Sequence, residues 1–313
     1  MAALIGFFVG FNPAKSKEQV ALLLRRNASL RQLRSGAKDQ GSLRFYIQTI
    51  TRPIDLSSVV PLRATMSWSP EESSLFELQL RETKARDYDK EYLSLHGADF
   101  LRAERAIIRR ALDLTQEDVL LDLGCGTGRI TEALASSCRH IVAVDRSERS
   151  LAVLRDRAAE RGLSNITIIQ SDTRHELRVD FPITKVLCVQ LLQHLPRSED
   201  RGSTLSVAAK NLSRGGRCVV INEMFGVARR IRGKPKETSG TNTLYFCTFT
   251  PHEMRGMMRA AGLKPIRVMG CGLFYWTRYR PATRAWVRLE EWASLIPGVS
   301  WFTKFGAAVA VKP

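Results

Sequence analysis

The chain has 313 residues, 44% of them hydrophobic, 25% charged and 8% aromatic; this is ample for a core and excludes a collagen-like, coiled-coil or wholly disordered chain. Lys and Arg exceed Asp and Glu by 17, but unevenly: residues 1–70 hold ten basic and three acidic side chains, 225–313 hold fifteen and four, and the centre is near neutral. That distribution excludes a uniformly basic nucleic-acid-binding domain and leaves two ends that suit an anionic partner such as RNA, anionic lipid or an acidic substrate.

Residues 1–12 are apolar but no basic stretch precedes them, which disfavours a secretory signal. The basic, acid-poor run over 15–40 has the composition of a mitochondrial transit peptide, a docking helix or a mobile extension. The expectation is a basic extension over 1–70 and a cytoplasmic protein, with the mitochondrial matrix as the alternative if that extension is a transit peptide. No apolar run is long enough for a membrane span. The six cysteines, at 125, 138, 188, 218, 247 and 271, form no CxxC pair. A local zinc motif is therefore not expected, and free thiols in a reducing compartment are.

From residue 71 the pattern becomes regular. Residues 71–95 are charged and read as helix, with Phe76, Leu78 and Leu80 available to pack. In 98–113, Leu101, Ile107, Ile108 and Leu112 recur near helical spacing. Strands are predicted at 119–123 (VLLDL), 140–144 (HIVAV), 166–170 (ITIIQ), 185–189 (KVLCV), 217–222 (RCVVIN) and 305–311 (FGAAVAV). Helices are predicted at 130–138, 150–162, 203–213 and 251–262, the second stopping at Gly162 and the last at Gly262. Strand and helix alternating at these lengths imply βαβ units: an α/β, doubly wound, mostly parallel sheet over 71–313. Ligands of such sheets bind beyond the carboxyl ends of the strands.

The residues at those ends are distinctive. Asp122-Leu123-Gly124-Cys125-Gly126-Thr127-Gly128 follows the first strand. Its glycines permit a sharp turn and close backbone approach, and the next helix offers free N–H groups. Gly126 and Gly128 are separated by one residue, where a dinucleotide fingerprint has two. Asp122, ahead of the turn, suits an ammonium group, so the pattern fits a ligand bearing α-amino and α-carboxyl groups. Asp145 ends the second strand, where a carboxylate can accept from both ribose hydroxyls; its alternative role is a helix cap, for which Ser147 also serves. Asp172 follows the third strand, where it can accept from an exocyclic amine or make a turn.

These segments resemble the class I S-adenosylmethionine-dependent methyltransferases. DLGCGTGR (122–129) resembles the glycine-rich motif, VAVDRS (142–147) the ribose motif and IQSDT (169–173) the adenine-side motif. VLCVQLLQHLP (186–196) resembles the fourth strand and substrate-facing loop, SRGGRCVVINE (213–223) the turn into the fifth strand, and residues 249–268 the late helix and sixth strand. The resemblance covers about residues 75–312. It implies a seven-stranded, Rossmann-like sheet and S-adenosyl-L-methionine as cofactor. It implies cofactor contacts from Asp122, Gly124, Cys125, Gly126, Gly128, Asp145, Arg146, Asp172, Thr173 and Gln190, with Tyr88 or Tyr92 closing over the cofactor.

Methyl transfer is an in-line displacement that needs alignment more than covalent help. A base is required only for a protonated acceptor. His194 is one candidate, or else a structural histidine; Glu223 is another, or else a partner of Arg229 or Arg230. Residues 228–237 are expected to form a mobile basic loop that, with Arg255 and Arg259, recognises an anionic acceptor. Phe274, Tyr275, Trp276, Tyr279 and Trp286 line an apolar pocket or cover the sheet. The expected substrate is a small molecule, its nucleophile O, N or C. An RNA acceptor held by the basic ends is the alternative.

Overall fold

The chain divides into two units, residues 1–64 and 65–313. The structure, a computed structural model, describes residues 69–240, 243–273 and 284–313, all within the second unit. Of the expected extension over 1–70, residues 1–68 lie outside the described residues, as do Phe274, Tyr275, Trp276 and Tyr279, while Ser69 and Pro70 belong to the first helix.

Two helices lead in. α1 (Pro70–His96) starts at a capping box in which Ser69 and Glu72 satisfy each other's backbone N–H, with Pro70 at the first helical position. α2 (Ala98–Leu112) ends where Asp113 adopts a left-handed conformation. There follow β1 (Val119–Leu123), α3 (Arg129–Ala135), β2 (His140–Asp145), α4 (Glu148–Glu160), β3 (Ile166–Gln170), β4 (Ile183–Val189), a 3₁₀ turn (Leu192–His194), α5 (Ser198–Asn211) and β5 (Leu212–Glu223). The chain continues through α6 (Val227–Ile231), β6 (Glu237–Gly240), β7 (Thr243–Cys247), α7 (Pro251–Ala260), β8 (Lys264–Cys271), α8 (Arg284–Ala293) and β9 (Phe305–Val311).

The main sheet has seven strands in the order β3-β2-β1-β4-β5-β9-β8. β1 to β5 are parallel, and β9 runs antiparallel between β5 and β8. β1 is buried at every residue because both faces are covered. Leu121 and Leu123 face a layer built with Leu205 and Ala208 of α5 and Met254 and Met258 of α7. Leu120 faces the opposite layer, with Ile107, Ile108 and Leu112 of α2 and Leu134 of α3. The registers Asp122 to Ala143 and Asp145 to Gln170 bring the carboxyl ends of β1, β2 and β3 to one rim.

Several expectations are corrected. The segment 228–237 is a short helix, a turn and the first residue of a strand rather than a mobile loop. It is tied down, because Lys236 pairs with Glu253 and Thr248 N–H donates to the Lys236 carbonyl at 2.9 Å. The helix predicted at 203–213 begins at Ser198, where Glu199 and Asp200 favour the first turn, and stops before Leu212. β5 is correspondingly longer than 217–222 and carries Gly215 at a φ of 74°. In α1 the deepest side chains are Ser73, Ser74, Ala85, Tyr92 and His96, while Phe76, Leu78 and Leu80 are half-buried.

Candidate functional site at the carboxyl rim of the sheet

The turn after β1 folds back on β2: the N–H groups of Gly124 and Cys125 both donate to the Val144 carbonyl, at 2.8 and 3.1 Å. Two of its glycines have separable roles. Gly128 has a φ of 76°, and a β-carbon there would collide with Leu154 of α4, so this glycine seats the turn on the helix behind it. Gly126 has a φ of 54° and nothing within 4 Å of where a β-carbon would lie. Its missing side chain leaves room at the rim for a ligand to meet backbone.

Asp145, at the end of β2, grips that open turn. Its Oδ2 accepts from the Gly126 N–H at 2.8 Å and its Oδ1 from the Ser147 N–H at 2.9 Å. The helix cap is Ser147, whose hydroxyl accepts from the Ser150 N–H. Asp145 is therefore held in place without being spent as the cap, and each oxygen keeps a second acceptor direction. Burial pushes its carboxyl above the usual range, against the pull of the two N–H groups. Asp122 is buried at the end of β1 and accepts from the Thr131 hydroxyl at 2.7 Å. Burial pushes its pKa up to about 6, and the neighbouring Asp145 charge adds to that. A cationic group beside Asp122 would reverse both effects. Burial likewise raises the Cys125 thiol well above its ordinary value, so it is an inert wall of the turn.

The other residues expected on the cofactor side are engaged in ways the sequence did not reveal. Arg174 forks onto Asp172, with Nε 2.9 Å from Oδ1 and Nη2 2.6 Å from Oδ2, and also reaches Asp200. Burial disfavours the Asp172 charge, but the bonds from Arg174 hold its carboxyl below the usual range. Thr173 beside it is buried. Arg146 turns to α1, donating to the Ser74 hydroxyl and carbonyl at 2.9 and 2.7 Å and pairing with Glu77. Gln190 takes a φ of 54°, rare for a residue with a side chain, and its Nε2 donates to the Tyr92 hydroxyl at 2.6 Å. That hydroxyl donates to Glu104 Oε1 at 3.2 Å, while Glu104 Oε2 takes a 2.6 Å bond from Arg129, whose guanidinium lies over the Tyr92 ring. Tyr92 is thus a buried junction, and Tyr88 is half-buried with Arg81 over its ring.

On the other side of the rim stands His194. Its Nδ1 lies 3.1 Å from the Tyr245 carbonyl, which only accepts, so the proton sits on Nδ1 and Nε2 carries the lone pair. Gln193 fixes the neighbourhood: its Oε1 accepts the Glu223 N–H at 2.9 Å, which turns its amide nitrogen toward His194 Nε2 at 3.4 Å. Burial pushes the His194 pKa down to about 4, and Arg81 pushes the same way. His194 is therefore neutral near pH 7. Glu223, raised by burial, is paired with Arg229 at 2.8 Å. Arg229 also donates to the Pro235 carbonyl at 3.0 Å, and Phe246 stands against the His194 ring. With Arg229 spent on Glu223 and Pro235, the structure gives no support to a basic loop awaiting an anion.

Three side chains escaped the sequence reading for a physical reason. Glu104 and Arg129 lie on different helices, and Gln193 acts through the backbone of β5. Arg129 had one local signal, its place directly after Gly128.

Residues 120–216 match a family model described as a methyltransferase domain. A ubiquinone biosynthesis O-methyltransferase of Vibrio cholerae is 32% identical over 164 residues, which is 52% of this chain and 63% of that protein. The chain thus spans less than two thirds of that relative's length. A mitochondrial ribosomal RNA small subunit methyltransferase of Arabidopsis thaliana is 31% identical over 34% of this chain and 28% of its own. The solved N-methyltransferase NodS of Bradyrhizobium japonicum, in complex with S-adenosyl-L-homocysteine, superposes with a TM-score of 0.52 at 16% identity, covering 75% of this chain and 98% of that one. That last likeness is one of fold. Residues 120–216, from β1 into β5, thus match a methyltransferase domain, and the strand-end motifs at 122–129, 142–147 and 169–173 all lie within that match.

Proposed function

We propose that this chain transfers a methyl group from S-adenosyl-L-methionine to an O, N or C nucleophile of a small-molecule acceptor. The observation that carries the reading is the joint placement of Asp145 and Gly126. A carboxylate pinned by two N–H groups sits beside a turn whose open side meets no atom within 4 Å. The residues present fit the cofactor. Asp145 would take the ribose hydroxyls, Asp122 the ammonium group, Asp172 and Thr173 the adenine side, and Gln190 the neighbourhood of the sulfonium. When bound, the cofactor supplies a methyl group with a neutral thioether as leaving group.

The protein's own part is alignment and proton handling. Tyr92, Glu104 and Arg129 hold Gln190 in its left-handed turn. Tyr245 holds the Nδ1 proton of His194, so a proton taken from an acceptor would arrive at Nε2, displacing the Gln193 amide that donates there. Its low pKa makes Nε2 a weak base, better suited to an acceptor that loses its proton readily than to an alcohol. The named relative that acts in ubiquinone biosynthesis favours a small acceptor. The RNA alternative has in its favour the ribosomal RNA relative and the basic ends.

The test is transfer of labelled methyl from the cofactor into a fractionated extract, followed by identification of the product. A labelled small molecule supports the reading, and label that disappears on ribonuclease treatment selects the RNA alternative. Asp145→Ala should weaken cofactor binding in calorimetry by at least about tenfold. Undiminished affinity removes the ribose assignment.

A further inference from the structure

α8 covers Trp286 and Val287 in part but leaves two large apolar side chains outside. Its inward side presents Glu290 and Ala293, 5% and 3% exposed, and its outward side presents Leu289 and Trp292, 39% and 64% exposed. The stripe continues beyond the helix. Leu295 and Ile296 close turns on Trp292 and Ala293, and Val299 and Phe302 close the next two, placing Ile296 and Phe302 outward at 42% and 55% exposure. α6 abuts this run: a β-carbon on Gly226 would strike the Trp301 carbonyl, and the Arg230 guanidinium lies 5.4 Å from the Trp301 ring. α6 ends in Ile231, 80% exposed.

Cations accompany the apolar side chains. Arg288 is exposed next to Leu289 on α8, and Arg230 and Arg232 flank Ile231. The acid most buried in α8, Glu290, is turned inward, where its Oε2 accepts from the Leu273 N–H. Across 225–313 basic side chains outnumber acidic ones fifteen to four.

We infer that this face lies on an anionic lipid bilayer. Exposed Trp, Phe, Leu and Ile beside Arg is the composition of an element that rests in the headgroup region. A second copy of the chain would oppose Arg288 and Arg230 to their own equivalents, whereas anionic headgroups complement them. No described helix is long and apolar enough to cross a membrane, so the contact is peripheral.

The experiment is co-sedimentation of the full chain with vesicles of equimolar phosphatidylcholine and phosphatidylglycerol, and with phosphatidylcholine alone, at low and high salt. The wild type should bind the mixed vesicles more tightly than the neutral ones, and less tightly as salt rises. Trp292→Ser with Ile296→Ser, and separately Arg288→Glu, should each weaken binding to mixed vesicles about tenfold. The charge variant removes no buried group and remains informative if the apolar pair impairs folding. Failure of the wild type to bind overturns the inference. So does undiminished binding by Arg288→Glu, which would send the lipid contact to another basic segment. A wild-type dimer in light scattering that Trp292→Ser converts to monomer also overturns it, because the face then belongs to a second copy.

Discussion

Asp122 is a carboxyl group whose charge the free protein resists. It is 2% exposed, among the described residues its hydrogen-bond donor is Thr131, and burial pushes its pKa to about 6 from an ordinary 3.8. A ligand ammonium group nearby would favour ionisation, so binding should expel the proton that the free protein holds below pH 6. Cofactor affinity should therefore fall as pH drops from 7.5 to 5, approaching tenfold per unit below about 6. Asp122→Asn should bind weakly with the slope removed. Calorimetry at three pH values checks this, and a wild-type affinity flat between pH 5 and 7.5 would show that the ammonium group lies elsewhere. At this scale the sequence was most legible where chemistry is local. Asp122, the glycines and Asp145 sit in short strand-end segments whose positions the alternation of strands and helices determines. Gln193, Tyr245 and the Glu104–Arg129 pair were not legible, because a side chain's partner across 25 to 51 residues is set by tertiary packing. The αL conformation of Gln190 was equally hidden, since Gln carries no local preference for it.

Among the elements, α1 buries few apolar side chains and is tied to its neighbours by ion pairs. It is joined to the ends of β2 and α4 by Glu77 to Arg146, Glu82 to Arg149 and Asp89 to Arg157, and Thr127 of the glycine turn donates to Asp89 at 2.7 Å. Burial opposes ionisation of Glu77, yet the Arg81 and Arg146 guanidiniums hold its carboxyl at about 2. A helix held this way should detach before the sheet does. Arg146→Ala should speed amide exchange in residues 70–96 severalfold in the ligand-free protein while leaving β1 and β4 protected. High salt should do the same more weakly, because the exposed Glu82–Arg149 pair is screened and the buried Glu77 pair less so. Exchange that rises equally throughout the sheet would mean that Arg146 supports the whole fold. The sequence announced α1 as a charged helix but not where its charges go. It also announced the parallel strands, whose apolar runs are continuous because both faces are buried. The pairing of β6 with β7 was missed because Glu237–Gly240 holds no apolar residue and so no alternation, and the order of the segment before it comes from Lys236, Thr248 and the Arg229–Glu223 pair.

For the whole molecule, two groups at the rim, Asp122 and the partly buried His194, pull stability in opposite directions with pH. The folded pKa of Asp122 is raised, so its contribution is present below pH 3.8 and is lost as pH rises toward about 6. The folded pKa of His194 is lowered, so its contribution is present above pH 6.5 and is lost as pH falls toward about 4. Between pH 4 and 6 the folded state holds a proton on Asp122 that the unfolded chain releases, and lacks one on His194 that the unfolded chain binds. The shifts are similar in size, so the two contributions to the slope nearly cancel. Single substitutions should expose each. Relative to wild type, the melting temperature of His194→Phe should fall as pH rises from 4 to 6, and that of Asp122→Asn should rise over the same interval. Each slope is bounded by about 1.4 kcal/mol per pH unit, the contribution of one proton. Melting curves of the ligand-free protein at half-unit intervals decide the matter. If both differences are flat, neither group is as buried as its neighbours make it; if only the Asp122 difference is flat, its carboxyl stays charged and reaches water at the rim. The rim that suits a cationic ligand is thus also the place where the free fold stores charge least comfortably, and saturating cofactor should bring the acid side of the profile back under His194 alone.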